Sequence, residues 1–291
     1  MQIIDGRKIS ANILEEIGVE VRDRAGKGKK IPHLAAVLVG GDPASQTYVA
    51  AKVKACEQVG FKSTLLKLDA LISEDELLAK IAALNDDDNV DGYIVQLPLP
   101  RHIAERKIIE AILPEKDVDG FHPVNVGKMA LNLPCYISAT PFGIMQLIER
   151  YQIPTEGKHC VVIGRSNIVG SPVSILLARN AYPGNCTVTL CHSKTKNLKE
   201  ICQSADILIA AIGKPDYVTE DMVKDGAVVI DVGINRVPDA GTKSGFRLKG
   251  DVKFDEVSRK CDYITPVPGG VGPMTIASLL KNTLTAAQNK D

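Results

Sequence analysis

VVIGRSNIVGSP, residues 161–172, decides the fold: an apolar, β-branched run ends on a glycine, and Ser-Pro then opens an apolar helical stretch, ILLARNA. A glycine directly after a buried strand and before a helix is the setting in which a helix N-terminus holds a pyrophosphate. The match to G-x-G-x-x-G is incomplete. Gly164 is present, Ser166 and Val169 occupy the other two glycine positions, and Gly170 comes one residue late. On the motif alone, a dinucleotide site and a plain tight turn both stay open.

Downstream the alternation continues with TVTLCHS, NLKEICQSA, DILIAAIG, a short helix and AVVIDVGIN. Upstream a separate series starts at residue 33 with HLAAVLV, a helix, STLLKLD, and a second helix opened by the capping-box pattern from Ser73 to Glu76. It closes on DGYIVQLPLP, where two prolines end the strand. Such β-α-β-α-β units imply parallel sheets covered by helices. Between the two series lie the loop-like KDVDGFHPVNVG and a helix that begins at Thr140-Pro141. The expected fold class is therefore α/β in two domains. ITPVPGGVGPMT leads into TIASLLKNTLTAAQ, an amphipathic helix expected to pack back on the first domain. This gives residues 1–139 with 273–291 as one domain and 140–272 as the other. NAYPGN and PDAGTKSGFR read as surface loops.

Composition narrows the partners. The 291 residues are 45% hydrophobic, and Lys+Arg and Asp+Glu both number 35, so no global charge favours nucleic acid or a membrane surface. A small molecule is the default ligand. Asp5 interrupts the N-terminus before any apolar signal region, and no run approaches the roughly 18 apolar residues of a membrane span. A cytoplasmic protein is expected. The seven cysteines are scattered and include no C-x-x-C pair, which argues against a disulfide framework and a thiolate metal site.

The strand after Gly164 sharpens the cofactor reading. A site for NAD wants an acidic residue about 20 positions on, to grip the ribose hydroxyls. Between Gly164 and Glu200 there is none; Arg165 stands in the turn and His192, Ser193 and Lys194 at the end of the next strand. A cationic, hydroxyl-rich pocket suits an extra ribose phosphate, so NADP is preferred to NAD. A solvated basic loop is the alternative for Lys194 and Lys196.

In SQTYVAAKVKACEQVG, residues 45–60, a helical wheel at about 100° per residue gathers Val49, Val53, Cys56 and Val59 in one arc. Tyr48 and Lys52 fall inside that arc, and Lys54 and Gln58 lie opposite. Gln96 at the close of YIVQLPLP and Asp119 in the DVDG turn stand at other strand ends or loops, where parallel sheets present their sites. Each has a bland alternative: a snorkelling lysine, a core tyrosine, a backbone-satisfying amide, a turn aspartate. Together they make chemical sense. Burial among apolar side chains disfavours an ammonium and favours an amine that can carry a proton. An amide such as Gln96 orients it without neutralising it, and a neighbouring aromatic ring can stack on a planar substrate.

These segments, with PEKDVDGFHPVNVG and ITPVPGGVGPMT in the same order, strongly resemble the bifunctional methylenetetrahydrofolate dehydrogenase/methenyltetrahydrofolate cyclohydrolase family, over nearly the whole chain. The resemblance implies a folate-binding catalytic domain and a Rossmann-like NADP-binding domain. The implied reactions are oxidation of 5,10-methylenetetrahydrofolate with NADP and hydrolysis of the methenyl product to 10-formyltetrahydrofolate, in one-carbon metabolism. By the resemblance, Lys52 is the catalytic general base and proton relay, Tyr48 stacks on the folate, Ser45 and Gln96 support the lysine, and Asp119 binds the pterin. Val95 and Leu97 flank that site, and Pro268, Gly269, Gly270, Val271, Gly272, Pro273, Thr275 and Ile276 line it. Gly164, Arg165, Ser166, Ile168, Gly170, Pro172, His192, Ser193 and Ile234 match the cofactor contacts. Tetrahydrofolate derivatives are the implied partners, no metal is implied, and the family pairs as a homodimer through its cofactor domain.

Overall fold

A computed structural model describes residues 1–242 and 245–291. The chain opens with β1 (Gln2–Ile3), α1 (Gly6–Gly26), β2 (His33–Val39), α2 (Pro43–Val59), β3 (Lys62–Leu68), α3 (Glu74–Asp86) and β4 (Gly92–Val95). Next come α4 (Glu105–Ala111), α5 (Pro123–Ala130), α6 (Ala139–Arg150), β5 (His159–Ile163), α7 (Gly170–Ala178), β6 (Thr187–Cys191), α8 (Leu198–Gln203) and β7 (Ile207–Ala210). It closes with β8 (Val228–Asp231), β9 (Asn235–Pro238), β10 (Phe246–Lys249), α9 (Phe254–Val257), β11 (Tyr263–Ile264) and α10 (Val271–Gln288).

The chain divides into two compact units, Met1–Ser10 with Thr140–Thr275 and Ala11–Ala139 with Ile276–Asp291. In the second of these, β2 is the central strand of a three-stranded parallel sheet in the order β3-β2-β4. Its HLAAVLV run is buried almost throughout, as a strand covered on both faces must be, whereas the edge strand β3 alternates with exposed positions. The capping box expected at Ser73 is present: Ser73 Oγ accepts from the Glu76 N–H and Glu76 Oε2 accepts from the Ser73 N–H.

The other unit carries a six-stranded parallel sheet, β1-β11-β8-β7-β5-β6. From β5 the chain passes through α7 to β6 on one side and then returns to build β7 on the other, so the strand order reverses between β5 and β7. That is the position at which open parallel sheets bind ligands, beyond the C-terminal ends of the strands.

The unit bounds differ from the expected division at the N-terminal segment and at the start of α10. Met1–Ser10 go with the six-stranded sheet because Gln2 and Ile3 pair with Tyr263 and Ile264, a partnership across almost the whole chain. Helix α10 begins at Val271 rather than near Thr275, and residues 271–275 cluster with that same unit. Pro273 is accommodated because the first N–H groups of a helix have no intrahelical acceptor to lose. PDAGTKSGFR contributes to a hairpin rather than a plain loop: Pro238 pairs with Phe246 and Arg236 with Leu248, while Lys243 and Ser244 lie outside the described residues. All seven cysteines are free and all but Cys135 are buried, packed as small apolar residues.

Candidate functional site

Helix α2 carries the lysine. Asp42 caps its start, accepting from the Ser45 N–H at 2.7 Å, and Gly60 ends it with φ +81°, the left-handed conformation that glycine adopts without strain. Val49, Cys56 and Val59 are buried, as the wheel requires, and Lys54 is exposed. Lys52 is half-buried and Tyr48, one turn earlier, is 48% exposed, so its ring face is available to a planar ligand. Ser45 is buried; its hydrogen bond to Asp42 runs through the backbone and not toward Lys52.

Gln96 follows β4 directly and extends its ladder, donating its N–H to Val37 O at 2.9 Å. Its Nε2 donates to Leu97 O at 2.7 Å, which leaves Oε1 as the acceptor for Lys52 Nζ at 3.2 Å. The lysine is thus oriented by a neutral group. A carboxylate is nevertheless within electrostatic reach. Burial pushes the Asp119 carboxyl up from its ordinary value, and the charge of Lys52 draws it partly back.

The turn that presents Asp119 is tied down on every side. Asp117, buried, accepts from the N–H groups of Phe121 and His122 and from Asn125 Nδ2 at 2.9 Å. Its burial raises its carboxyl to about 6, against the pull of those donors. Gly120 has φ +71°, and a Cβ there would lie 2.5 Å from Ser138 N, so backbone packs where any other residue would place a side chain. From α10, the buried Asn282 donates Nδ2 to both Val118 O and Ile137 O, each at 2.9 Å.

In the six-stranded unit, the turn after β5 is equally close-packed. Gly164 has φ +116°, and a Cβ on it would come 2.0 Å from Ala211 O, so the turns after β5 and β7 touch. A Cβ on Gly170 would lie 1.9 Å from Gly164 O. Ser166 Oγ accepts from the Val169 N–H at 3.2 Å, and Ser171 Oγ donates to Arg165 O. Arg165, Ser166 and Ile168 are exposed, Pro172 is buried on α7, and Ser193 and Lys194 are exposed beyond β6. His192 donates its N–H to Thr195 Oγ1, and its Nδ1 accepts from the Lys194 N–H, which shapes that second turn.

Pro268–Thr275 belong to this unit as well. Gly269 O accepts from the Arg7 N–H at 3.1 Å, and a Cβ on Gly272 would meet Ile234 Cδ1 at 3.2 Å, so Ile234 and Gly272 lie side by side. Val95 is buried in β4 and Leu97 half-buried after it; Ile276 groups with the lysine-bearing unit. Lys52, Tyr48, Gln96 and Asp119 all fall in that unit, while the 268–275 segment and the Gly164 turn fall in the other.

Sequence reasoning missed Asp117, Asn125 and Asn282 around the Asp119 turn, and Asp231 and Asp251 in the six-stranded unit. A signal existed for Asn282, an amide at a position of α10 where the flanking Leu279, Leu280, Thr283 and Leu284 are all buried.

Models of the tetrahydrofolate dehydrogenase/cyclohydrolase catalytic domain and NAD(P)-binding domain match residues 4–119 and 138–291 respectively. The bifunctional protein FolD of Cytophaga hutchinsonii is 67% identical over 290 residues, covering 100% of both chains. The crystal structure of the bifunctional FolD methylenetetrahydrofolate dehydrogenase/cyclohydrolase from Campylobacter jejuni is similar at a TM-score of 0.94 and 49% identity over 100% of each chain. The methylenetetrahydrofolate dehydrogenase-cyclohydrolase (FolD) of Trypanosoma brucei, solved with NADP cofactor and an inhibitor, has a TM-score of 0.92 at 39% identity and covers 99% of this chain and 97% of its own.

Proposed function

The chain belongs to the tetrahydrofolate dehydrogenase/cyclohydrolase family, and on that premise we propose that it catalyses both reactions of its name. It oxidises 5,10-methylenetetrahydrofolate to the 5,10-methenyl cation with NADP, and it hydrolyses that cation to 10-formyltetrahydrofolate. The observation that carries the residue assignment is the hydrogen bond from Lys52 Nζ to the neutral Gln96 amide, with Asp119 in the same field.

Tyr48, exposed beside Lys52, offers its ring to the folate, and Asp119 offers two acceptor oxygens to the N–H groups of the pterin. The chemistry of the turns at the ends of β5 and β6 fits NADP. Arg165, Ser166, Ser193 and Lys194 are all exposed there, and no acidic residue stands between Gly164 and Glu200 to repel a ribose phosphate. NADP, when bound, accepts the hydride released from the substrate. Gly164, Arg165 and Ser166 would hold it, with Ile168, Gly170, Pro172, His192, Ser193 and Ile234 around it.

Hydride loss leaves a positive carbon on the folate. Lys52 is held there by the uncharged Gln96 amide, which itself adds no charge beside that carbon. In the hydrolytic step water adds through oxygen to that carbon and gives a proton to Lys52 Nζ. As the carbonyl forms, the bond to one ring nitrogen breaks. That nitrogen keeps the electron pair and takes up a proton, so one proton in all leaves to solvent. Lys52 is the relay in both transfers, with Gln96 fixing the direction of its lone pair.

The segment 268–276 is assigned to the folate. Two copies are expected to pair through the six-stranded unit, a reading supported by the open edge of β6, where Leu190 is 37% exposed. No described helix is long and apolar enough to cross a membrane, which is compatible with the cytoplasmic setting assigned to it. Lys52→Met tests the core of the proposal. The variant is expected to lose methenyltetrahydrofolate hydrolysis by more than a hundredfold while still binding folate; hydrolysis at the parent's rate removes the relay role.

A further inference from the structure

The mechanism leaves two buried carboxylates unused, Asp231 and Asp251, both in the six-stranded unit. Their hydrogen bonds converge on the turns that follow β7 and β8. Asp251 accepts from three successive backbone N–H groups, those of Ile212 at 2.6 Å, Gly213 at 2.9 Å and Lys214 at 2.8 Å. It also accepts from Asn235 Nδ2 at 2.9 Å, the residue immediately after Ile234. The Asp251 N–H in turn donates to Asp231 Oδ1, which also takes the Gly233 N–H, while Asp231 Oδ2 takes the Val252 N–H, each at 2.9 Å.

These turns stand where the strand order reverses. The turn after β7 touches Gly164 through Ala211 O, and Ile212–Lys214 continue from it directly. A crevice for a dinucleotide beyond the ends of β5 and β7 therefore has the Asp251-bound turn as one wall and the Ile234–Asn235 turn next to it. Three consecutive amides pointed at one carboxylate cannot also point elsewhere, so Asp251 fixes how that wall presents its remaining backbone. Asparagine would replace one acceptor oxygen by an N–H₂ group facing N–H donors, which the turn cannot satisfy without moving.

We propose that Asp251, with Asp231 behind it, is a positioning residue for NADP: it touches no reacting atom and sets the wall against which the cofactor lies. The inference rests on the assignment of NADP to this unit. It also separates the two activities, because hydrolysis of the methenyl compound consumes no NADP.

The experiment compares the parent with Asp251→Asn and Asn235→Ala, measuring NADPH affinity by fluorescence titration, methenyltetrahydrofolate hydrolysis, and the thermal midpoint. Asp251→Asn is expected to weaken NADPH binding at least tenfold and Asn235→Ala, which removes one of four donors, about threefold. Hydrolysis should stay within twofold of the parent in both. Parent-like NADPH affinity in Asp251→Asn overturns the inference and leaves the cofactor assignment standing. A parallel fall of NADPH affinity, hydrolysis and thermal midpoint in Asp251→Asn, with parent-like affinity in Asn235→Ala, also overturns it by reducing Asp251 to a stability role. Absence of NADPH binding by the parent overturns the cofactor assignment and this inference with it.

Discussion

Replacing Asn282 by alanine should loosen the turn that presents Asp119. The side chain is 4% exposed and donates at 2.9 Å to two carbonyls, Val118 O and Ile137 O, that lie 164 and 145 residues away in sequence. Each hydrogen bond contributes about 1 kcal/mol net, and leaving its buried acceptor without a donor raises the loss to about 1–3 kcal/mol. The pair is therefore worth about 2–6 kcal/mol, from which the better helix propensity of alanine offsets roughly 0.5 kcal/mol. Val118 adjoins Asp119, so part of that energy holds the carboxylate in place; about 1 kcal/mol lost from folate binding is roughly a fivefold rise in KM. Urea unfolding followed by circular dichroism reads the first quantity and the KM for methenyltetrahydrofolate hydrolysis the second. A destabilisation below about 0.5 kcal/mol with an unchanged KM would refute the reasoning, because it would mean that the two carbonyls find other donors.

Arg165→Ala should raise the KM for NADP far more than that for NAD, since the guanidinium is assigned to the phosphate that only NADP carries; equal effects in steady-state assays would remove the assignment. Stability should fall as pH rises from 5 to 8. Burial raises the Asp231 carboxyl to about 7 and that of Asp117 to about 6, so the folded chain keeps protons that the unfolded chain releases near pH 4. Stability contributed below the unfolded value is thus lost through a window that closes near pH 7, by about 2–3 kcal/mol for Asp231 between pH 5 and 8. The carboxylates held low by lysine partners, such as Asp206 and Asp221, already contribute fully at pH 5 and do not reverse the slope. The thermal midpoint at pH 5 should exceed that at pH 8, and a midpoint that rises with pH contradicts the account.

Much of the architecture was legible because it follows from local pattern. The apolar strand before Gly164, the capping box at Ser73 and the placement of Lys52 on the arc of α2 each depend on residues within a few positions of one another. What stayed hidden depends on separation. The partners of Asp251 in the β7 turn lie 37 to 39 residues upstream, and in the sequence Asp251 reads only as an aspartate after a glycine. Gln2 and Ile3 carry no sign that they pair with residues near position 263. The early start of α10 was masked by Gly272 and Pro273, residues that break a helix interior but are tolerated in its first turn. The lysine's direct partner was foreseen in kind, a neutral amide; the electrostatic reach of Asp119 was not, since the turn that brings it near is shaped by Asp117 and Asn282.

The division of the chain bears on the order in which the molecule can be made. Each unit is assembled from two separated pieces, the boundaries falling after Ser10, Ala139 and Thr275. A ribosome that has released residue 150 has synthesised most of the lysine-bearing unit, but not the helix whose Asn282 bridges Val118 and Ile137. Strand β1 waits for Tyr263 and Ile264 before it has a neighbour. Although domains generally fold as they emerge, here neither unit can be completed before residues 263–291 have been made, and the nascent chain carries an unpaired strand and an unbridged turn until then.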